Sequence, residues 1–188
     1  YLDTLKNNRI KIKESFKLNS LNTLASTGSP LVNESFEYVY ENIKSNIHLE
    51  SISGGTDLVS CFVTGNPLMD VYSGEIQCKA LGMDVDVFDE KGNSIENQKG
   101  ELVCKSSFPS MPLYFWNDHD NKKYFNSYFS KYKNIWYHGD YIEKTINGGY
   151  VIYGRSDATL NSGGVRIGTA EIYRVIENIT EVQEAVAV

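Results

Sequence analysis

Gly154-Arg155-Ser156-Asp157-Ala158-Thr159-Leu160-Asn161-Ser162-Gly163-Gly164-Val165-Arg166-Ile167 marks the point where the chain changes character. Trp136-Tyr137-His138-Gly139-Asp140 precedes it at a short interval. Upstream, the pattern predicts a hairpin. It runs from Trp136 to Ile146, turns at Asn147-Gly148-Gly149 and returns through Tyr150-Val151-Ile152-Tyr153. Downstream, a Gly163-Gly164 turn leads to a helix from about Thr169, with Ile172, Val175, Ile176 and Ile179 on one face, and Val182 to Val188 reads as a strand. Arg155 therefore leaves a strand, and Asp140 is placed by a glycine turn. Taken singly, a turn Asp bonds its own backbone and an Arg after a strand is a surface charge. Together, one hairpin apart, they suit a ribose diol and a phosphate.

Outward from this hairpin the chain is mostly β. Val85 and Val87 alternate with Asp84 and Asp86, Asp89-Glu90-Lys91-Gly92-Asn93 is a turn, and Gly100 to Cys104 is the returning strand. Phe108 to Lys133 reads as an aromatic, polar loop. Leu24 to Leu31 reads as a strand ending in a Gly28-Ser29-Pro30 turn. From Asn33, an expected N-cap, apolar residues recur at Phe36, Val39, Tyr40, Ile43 and Ile47 in helical period. Ile52 to Thr64 returns to strand character around Ser53-Gly54-Gly55-Thr56-Asp57. That turn offers backbone N–H groups with little bulk, a hydroxyl for a phosphate oxygen and a carboxylate for Mg²⁺. The residues before Leu24 allow a helix and a strand and say little more.

The 188 residues carry 41 % apolar side chains, 13 Tyr and 8 Phe, enough for a real core. A net charge of −6 argues against a nucleic-acid backbone as partner. No apolar run approaches the roughly 18 residues a membrane span needs. Three cysteines, Cys61, Cys78 and Cys104, have no CxxC or His spacing; they read as inert core residues of a reducing, cytoplasmic protein. The start, Tyr1-Leu2-Asp3, reads as an internal cut. The about 30 residues after Asp157 are too few to bury a core of their own.

The Trp136–Asp140 and Gly154–Ile167 pair resembles the signature of the adenylate-forming superfamily, which comprises acyl-CoA synthetases, luciferases and peptide-synthetase adenylation domains. The resemblance extends from about Leu24 onward and is strongest to the superfamily's acetoacetate-activating ligases. It is carried also by Ser26 to Leu31, Ile52 to Asp57, Tyr72 to Gln77, Leu81-Gly82-Met83, Gly100 to Cys104 and Phe115-Trp116-Asn117-Asp118. It implies an α+β fold: the β-rich, distorted-barrel part of the large AMP-binding domain over residues 1–156, then a hinge and the start of a small α/β domain over 157–188. It implies ATP, Mg²⁺ and CoA as ligands, acetoacetate as acid, small molecules rather than nucleic acid or membrane as partners, and leaves protein partners open.

By the same resemblance, Gly28, Ser29 and Pro30 line adenine, and Gly55 and Thr56 face the α-phosphate. Asp57 holds Mg²⁺, and Asp140 with Arg155 grips ribose or phosphate. Asp157 is the hinge, Gly164 lets the CoA pantetheine approach, and Arg166 contacts phosphate. Gly54 stands where acetyl-CoA synthetases carry a Trp, so it opens the acyl pocket to a longer acid. A phosphate loop ending in Lys and a C-terminal catalytic Lys are expected outside the chain, which alone is expected to be inactive. Two alternatives stay open: another short- or medium-chain acyl-CoA synthetase, or a non-catalytic nucleotide-binding module.

Overall fold

A computed structural model of the chain describes every residue except Thr159, Gly163, Gly164, Gly168, Glu177, Asn178, Thr180, Gln183, Glu184, Ala187 and Val188. Two short helices, α1 (Leu2–Asn7) and α2 (Ile12–Ser15), lie on α3 (Asn33–Asn42). Strand β1 (Thr23–Ser26) enters α3, and β2 (His48–Ser51) returns parallel to β1 in the register Thr23↔His48 to Ser26↔Ser51. The parallel pairing needs the crossover that α3 supplies. The predicted stripe is its core: Phe36, Val39, Ile43 and Ile47 are buried with Leu5, Leu31 and Leu49.

Asn33 is not the cap. It is the first helical residue, after an extended Val32 with no side-chain capping bond. Its side chain is committed elsewhere, lying so close to Gly74 that a Cβ there would sit 2.2 Å from Asn33 Oδ1.

The second body is antiparallel. Strands β3 (Ser53–Gly55), β4 (Ser60–Thr64) and β5 (Cys78–Lys79) form one sheet. Strands β6 (Val85–Phe88), β7 (Lys99–Cys104), β8 (Trp136–Lys144) and β9 (Tyr150–Arg155) form a four-stranded meander. The predicted alternation holds, with Val85 and Val87 buried and the flanking Asp84 and Asp86 half-buried. Their neighbours in the core include Phe62, Leu102, Phe108, Trp136 and Ile142. Cys61, Cys78 and Cys104 are free thiols, and burial pushes those of Cys78 and Cys104 up.

The expected loop from Phe108 to Lys133 contains a helix, α4 (Lys122–Tyr128). The buried Asp118 carboxylate starts it, accepting the backbone N–H groups of Lys123 at 3.1 Å and Tyr124 at 2.8 Å. Its aromatic residues then pack on Trp136.

After β9 comes a 3₁₀ turn (Ser156–Ala158), then the antiparallel pair β10 (Leu160–Ser162) and β11 (Val165–Ile167), then α5 (Thr169–Ile176). Lys99 on β7 ties α5 to the meander, bonding Glu171 Oε2 at 2.5 Å and lying 4.1 Å from the Tyr153 ring centre. Glu171, in the first turn of α5, therefore has an ion-pair partner on the meander. On the face predicted for Ile172, Val175, Ile176 and Ile179, Val175 and Ile179 are exposed. Val182, Ala185 and Val186 lie in no strand, and the rest of that expected strand is outside the described residues. No described helix is long and apolar enough to cross a membrane.

Candidate functional site

Because β1 and β2 run parallel, both release their chains at the same end of the pair, the usual place for a ligand crevice. Thr27 to Pro30 follows β1, and Ile52 to Asp57 follows β2. Asp140 and Arg155 close the opposite wall from β8 and β9. These segments line one open cleft of about 1110 Å³. Gly28, Ser29, Pro30, Gly54, Gly55, Thr56, Asp57, Asp140 and Arg155 are thus brought together.

Asp140 is aimed by a bulge inside a strand, not by a turn. Glu101 pairs with Tyr141 and Val103 with Tyr137, so His138, Gly139 and Asp140 oppose Leu102 alone. The surplus is absorbed at Gly139, whose φ of +82° is left-handed. Across the β8–β9 ladder Asp140 faces Arg155 directly. Arg155 Nη1 donates to the His138 carbonyl at 2.9 Å and lies 3.3 Å from Asp140 Oδ1, while Nε lies 3.4 Å from Asp157 Oδ1. The guanidinium remains half exposed and can reach a ligand.

Electrostatics distinguish the groups. Burial pushes the Asp140 carboxyl up, and His138 and Arg155 pull it part of the way back. Its charged form is therefore incompletely satisfied and open to further donors. His138, whose side chain is 7 % exposed, stands with Nε2 3.7 Å from Asp140 Oδ2, too far for a hydrogen bond. Burial pushes the imidazole down, against an opposing backbone hydrogen bond at Gly54, so it is neutral at pH 7. The sequence reading gave His138 no role, yet it forms part of the cleft wall.

Gly139→Ala tests the bulge. A Cβ would sit 2.6 Å from Arg155 Nη2. Relief by moving the guanidinium breaks its hold on His138 and Asp140. The left-handed φ adds about 1–2 kcal/mol for an L-residue. Lower stability in urea together with weaker nucleotide binding is expected; nucleotide binding at the wild-type level would contradict it.

The facing wall is shaped by close approach. A Cβ on Gly54 would lie 2.1 Å from the Ser60 carbonyl oxygen and 2.4 Å from Cys61 Cα, where the β3–β4 register shifts. Glycine here is first a strand-pairing requirement. A Cβ on Gly55 would meet Asp57 Oδ1 at 2.0 Å and His138 Cε1 at 3.1 Å. Thr56 and Asp57 are exposed in the turn before β4.

One oxygen of Asp57 is engaged: Tyr128 of α4, another cleft residue absent from the sequence reading, donates its hydroxyl to Oδ2 at 2.5 Å. No described cluster of three His, Cys, Asp or Glu exists that could hold a metal unaided. The remaining Oδ1 of Asp57 suits a Mg²⁺ whose other ligands are phosphates and water, the usual donor set for that ion.

Asp157 sits in the 3₁₀ turn after β9, exposed. Arg166 stands on β11 opposite Asn161, and its side chain is not among the described ones. Gly164 lies outside the described residues.

No family model matches the chain. Over 188 residues, its whole length, it is 54 % identical to the acetoacetyl-coenzyme A synthetase of Rhizobium meliloti and covers 29 % of that protein. It is 46 % and 47 % identical to the acetoacetyl-CoA synthetases of Gallus gallus and Mus musculus, covering all of the chain and 28 % of each. The chain thus spans under a third of the length of these relatives. Its fold superposes on acetoacetyl-CoA synthetase from Streptomyces lividans with a TM-score of 0.89 at 37 % identity, over 98 % of this chain and 29 % of that one. It also superposes on an anthranilate CoA ligase in complex with anthranoyl-AMP, with a TM-score of 0.75 over 95 % of this chain and 33 % of that one. At 20 % identity the second likeness shows the fold alone. The expected α+β, β-rich architecture is the one these structures share.

Proposed function

We infer that the chain is a segment of an acetoacetyl-CoA synthetase, and that its cleft is the nucleotide and acyl site of that parent. The parent activates acetoacetate in two steps. A carboxylate oxygen attacks the α-phosphorus of ATP, expelling pyrophosphate and leaving acetoacetyl-AMP. The CoA thiol sulfur, losing its proton, then attacks the acyl carbonyl and AMP departs. The observation that carries this reading is the convergence of Asp140, Arg155, Thr56 and Asp57 on one cleft, in a chain 54 % identical to such a synthetase.

The residues divide the work by chemistry. Asp140, a buried acceptor with unmet demand for donors, takes both ribose hydroxyls. Arg155, already anchored on the His138 carbonyl, turns its remaining N–H groups to ribose or phosphate. Gly28, Ser29 and Pro30 present a flat backbone surface to adenine. Gly55 and Thr56 bring backbone N–H and hydroxyl donors to the α-phosphate, where charge builds in the transition state. Mg²⁺ held by Asp57 and the nucleotide supplies further charge neutralisation. Gly54 keeps β3 flush on β4, and the space beside it receives an acid longer than acetate.

We place the boundary of the large domain at 156 and the hinge at Asp157, an element-terminal position suited to a large backbone rotation. Gly164 and Arg166 are assigned to the thioester-forming state, toward CoA and phosphate. We assign the phosphate loop and the catalytic Lys to other parts of the parent.

Carboxylate-dependent ATP–pyrophosphate exchange on the parent, run with acetate, butyrate and acetoacetate in parallel, tests the reading. Strongest exchange with acetoacetate supports it. Preference for another acid reassigns the substrate, and no exchange with any acid leaves only a binding module.

A further inference from the structure

We propose that Tyr128 is a positioning residue that orients Asp57 toward the metal carried on the nucleotide phosphates; this rests on the nucleotide-site reading above. Asp57 projects from a turn, exposed, and its rotamer is not set by burial. Two neighbours select it. Tyr128 donates to Oδ2 at 2.5 Å, and Oδ1 lies directly over Gly55, where any Cβ would come within 2.0 Å. The carboxylate is thus held with one oxygen bonded to Tyr128 and the other lying over Gly55, itself a cleft residue.

Tyr128 is itself fixed. Its ring stacks on Trp136 with centroids 3.6 Å apart and planes 14° from parallel. Trp136 is 1 % exposed and belongs to β8, the strand that carries His138 and Asp140. The stack therefore ties α4, which holds Asp57, to the strand that carries the ribose-side carboxylate. Groups that orient a metal-binding carboxylate typically change metal affinity roughly 10–100-fold when removed.

The test uses the full-length parent. Binding of Mn²⁺·ATP is followed by the electron paramagnetic resonance of free Mn²⁺, and binding of AMP without metal by calorimetry. Wild type, Tyr128→Phe and Tyr124→Phe are compared. Tyr124 lies one turn earlier on α4 with its ring against Tyr128, and its hydroxyl donates to the Pro112 carbonyl at 2.5 Å; Tyr124→Phe keeps the ring and removes a hydroxyl that does not bond Asp57. Tyr128→Phe is expected to weaken Mn²⁺·ATP roughly 10–100-fold with AMP binding unchanged, and Tyr124→Phe to change neither. Tyr128→Phe binding Mn²⁺·ATP like wild type overturns the proposal, as does an equal loss of AMP binding. A wild type that binds Mn²⁺·ATP but supports no pyrophosphate exchange sinks the ligase reading alone. A wild type that binds no nucleotide overturns both.

Discussion

Asp140→Ala in the parent protein is expected to cut acetoacetate-dependent pyrophosphate exchange by roughly 10²–10⁴-fold while leaving the fold intact. A hydrogen bond to a charged group contributes about 1.5–3 kcal/mol, two ribose hydroxyls would use the carboxylate, and about 1.4 kcal/mol corresponds to a decade of rate. The fold survives for a specific reason. Burial penalises the Asp140 charge more than the neighbouring Arg155 guanidinium offsets it, so its carboxyl titrates above the ordinary range. Removing an incompletely compensated buried charge relieves a penalty. The Arg155 left behind is half exposed and keeps its bond to the His138 carbonyl, so it is not stranded in the interior. The melting temperature should therefore hold or rise as exchange collapses. Asp140→Asn, which keeps the shape and one acceptor oxygen, should fall between the two. Near-normal exchange in Asp140→Ala would remove the residue from the site, and a large loss of stability would mean its role is structural.

How much of this site was legible in the sequence depended on distance along the chain. Asp140 and Arg155 were legible because one hairpin, with its own alternation and glycine turn, sets them face to face. Gly54 to Asp57 were legible as a small-residue turn between two strands. The bulge was not, since it interrupts the very period-2 pattern by which strands are recognised, and Gly139 looked like a turn residue. Helix α4 was missed because it is seven residues long and aromatic on several sides, and the carboxylate that starts it, Asp118, stands outside it. Tyr128 was missed with it: no local pattern links a residue to a partner 71 positions away. Asn33 is the first helical residue rather than the cap, and its side chain lies against Gly74, a neighbour that only tertiary structure brings near. Gly54 reads differently in three dimensions, where the closeness of Ser60 and Cys61 already demands glycine before any ligand is considered.

Trp136→Ala should be the most destabilising change in the segment, costing about 3–5 kcal/mol as expected for truncating a fully buried Trp. The indole is the hub of the aromatic core: Tyr128 stacks on it, and Phe108, Phe129, Tyr124 and Phe62 surround it at centroid distances of 5.3, 5.9, 6.4 and 6.5 Å. These partners come from three separate stretches of chain, so a cavity here cannot collapse by moving one element. The measurement is the midpoint of urea unfolding of the parent, with an unchanged slope marking a change in stability rather than in exposed surface. The indole N–H adds a second discrimination, because it is buried without a hydrogen-bond partner. Trp136→Phe keeps much of the packing and removes that unsatisfied donor, so it should recover most of the stability. It also narrows the platform beneath Tyr128, so Mn²⁺·ATP affinity should stay lowered where stability returns. A loss below about 1 kcal/mol in Trp136→Ala, the range of ordinary surface substitutions or little more, would mean the aromatic cluster is not the core of this fold. Stability and metal-nucleotide affinity recovering in step in Trp136→Phe would instead separate the Tyr128 stack from the positioning of Asp57.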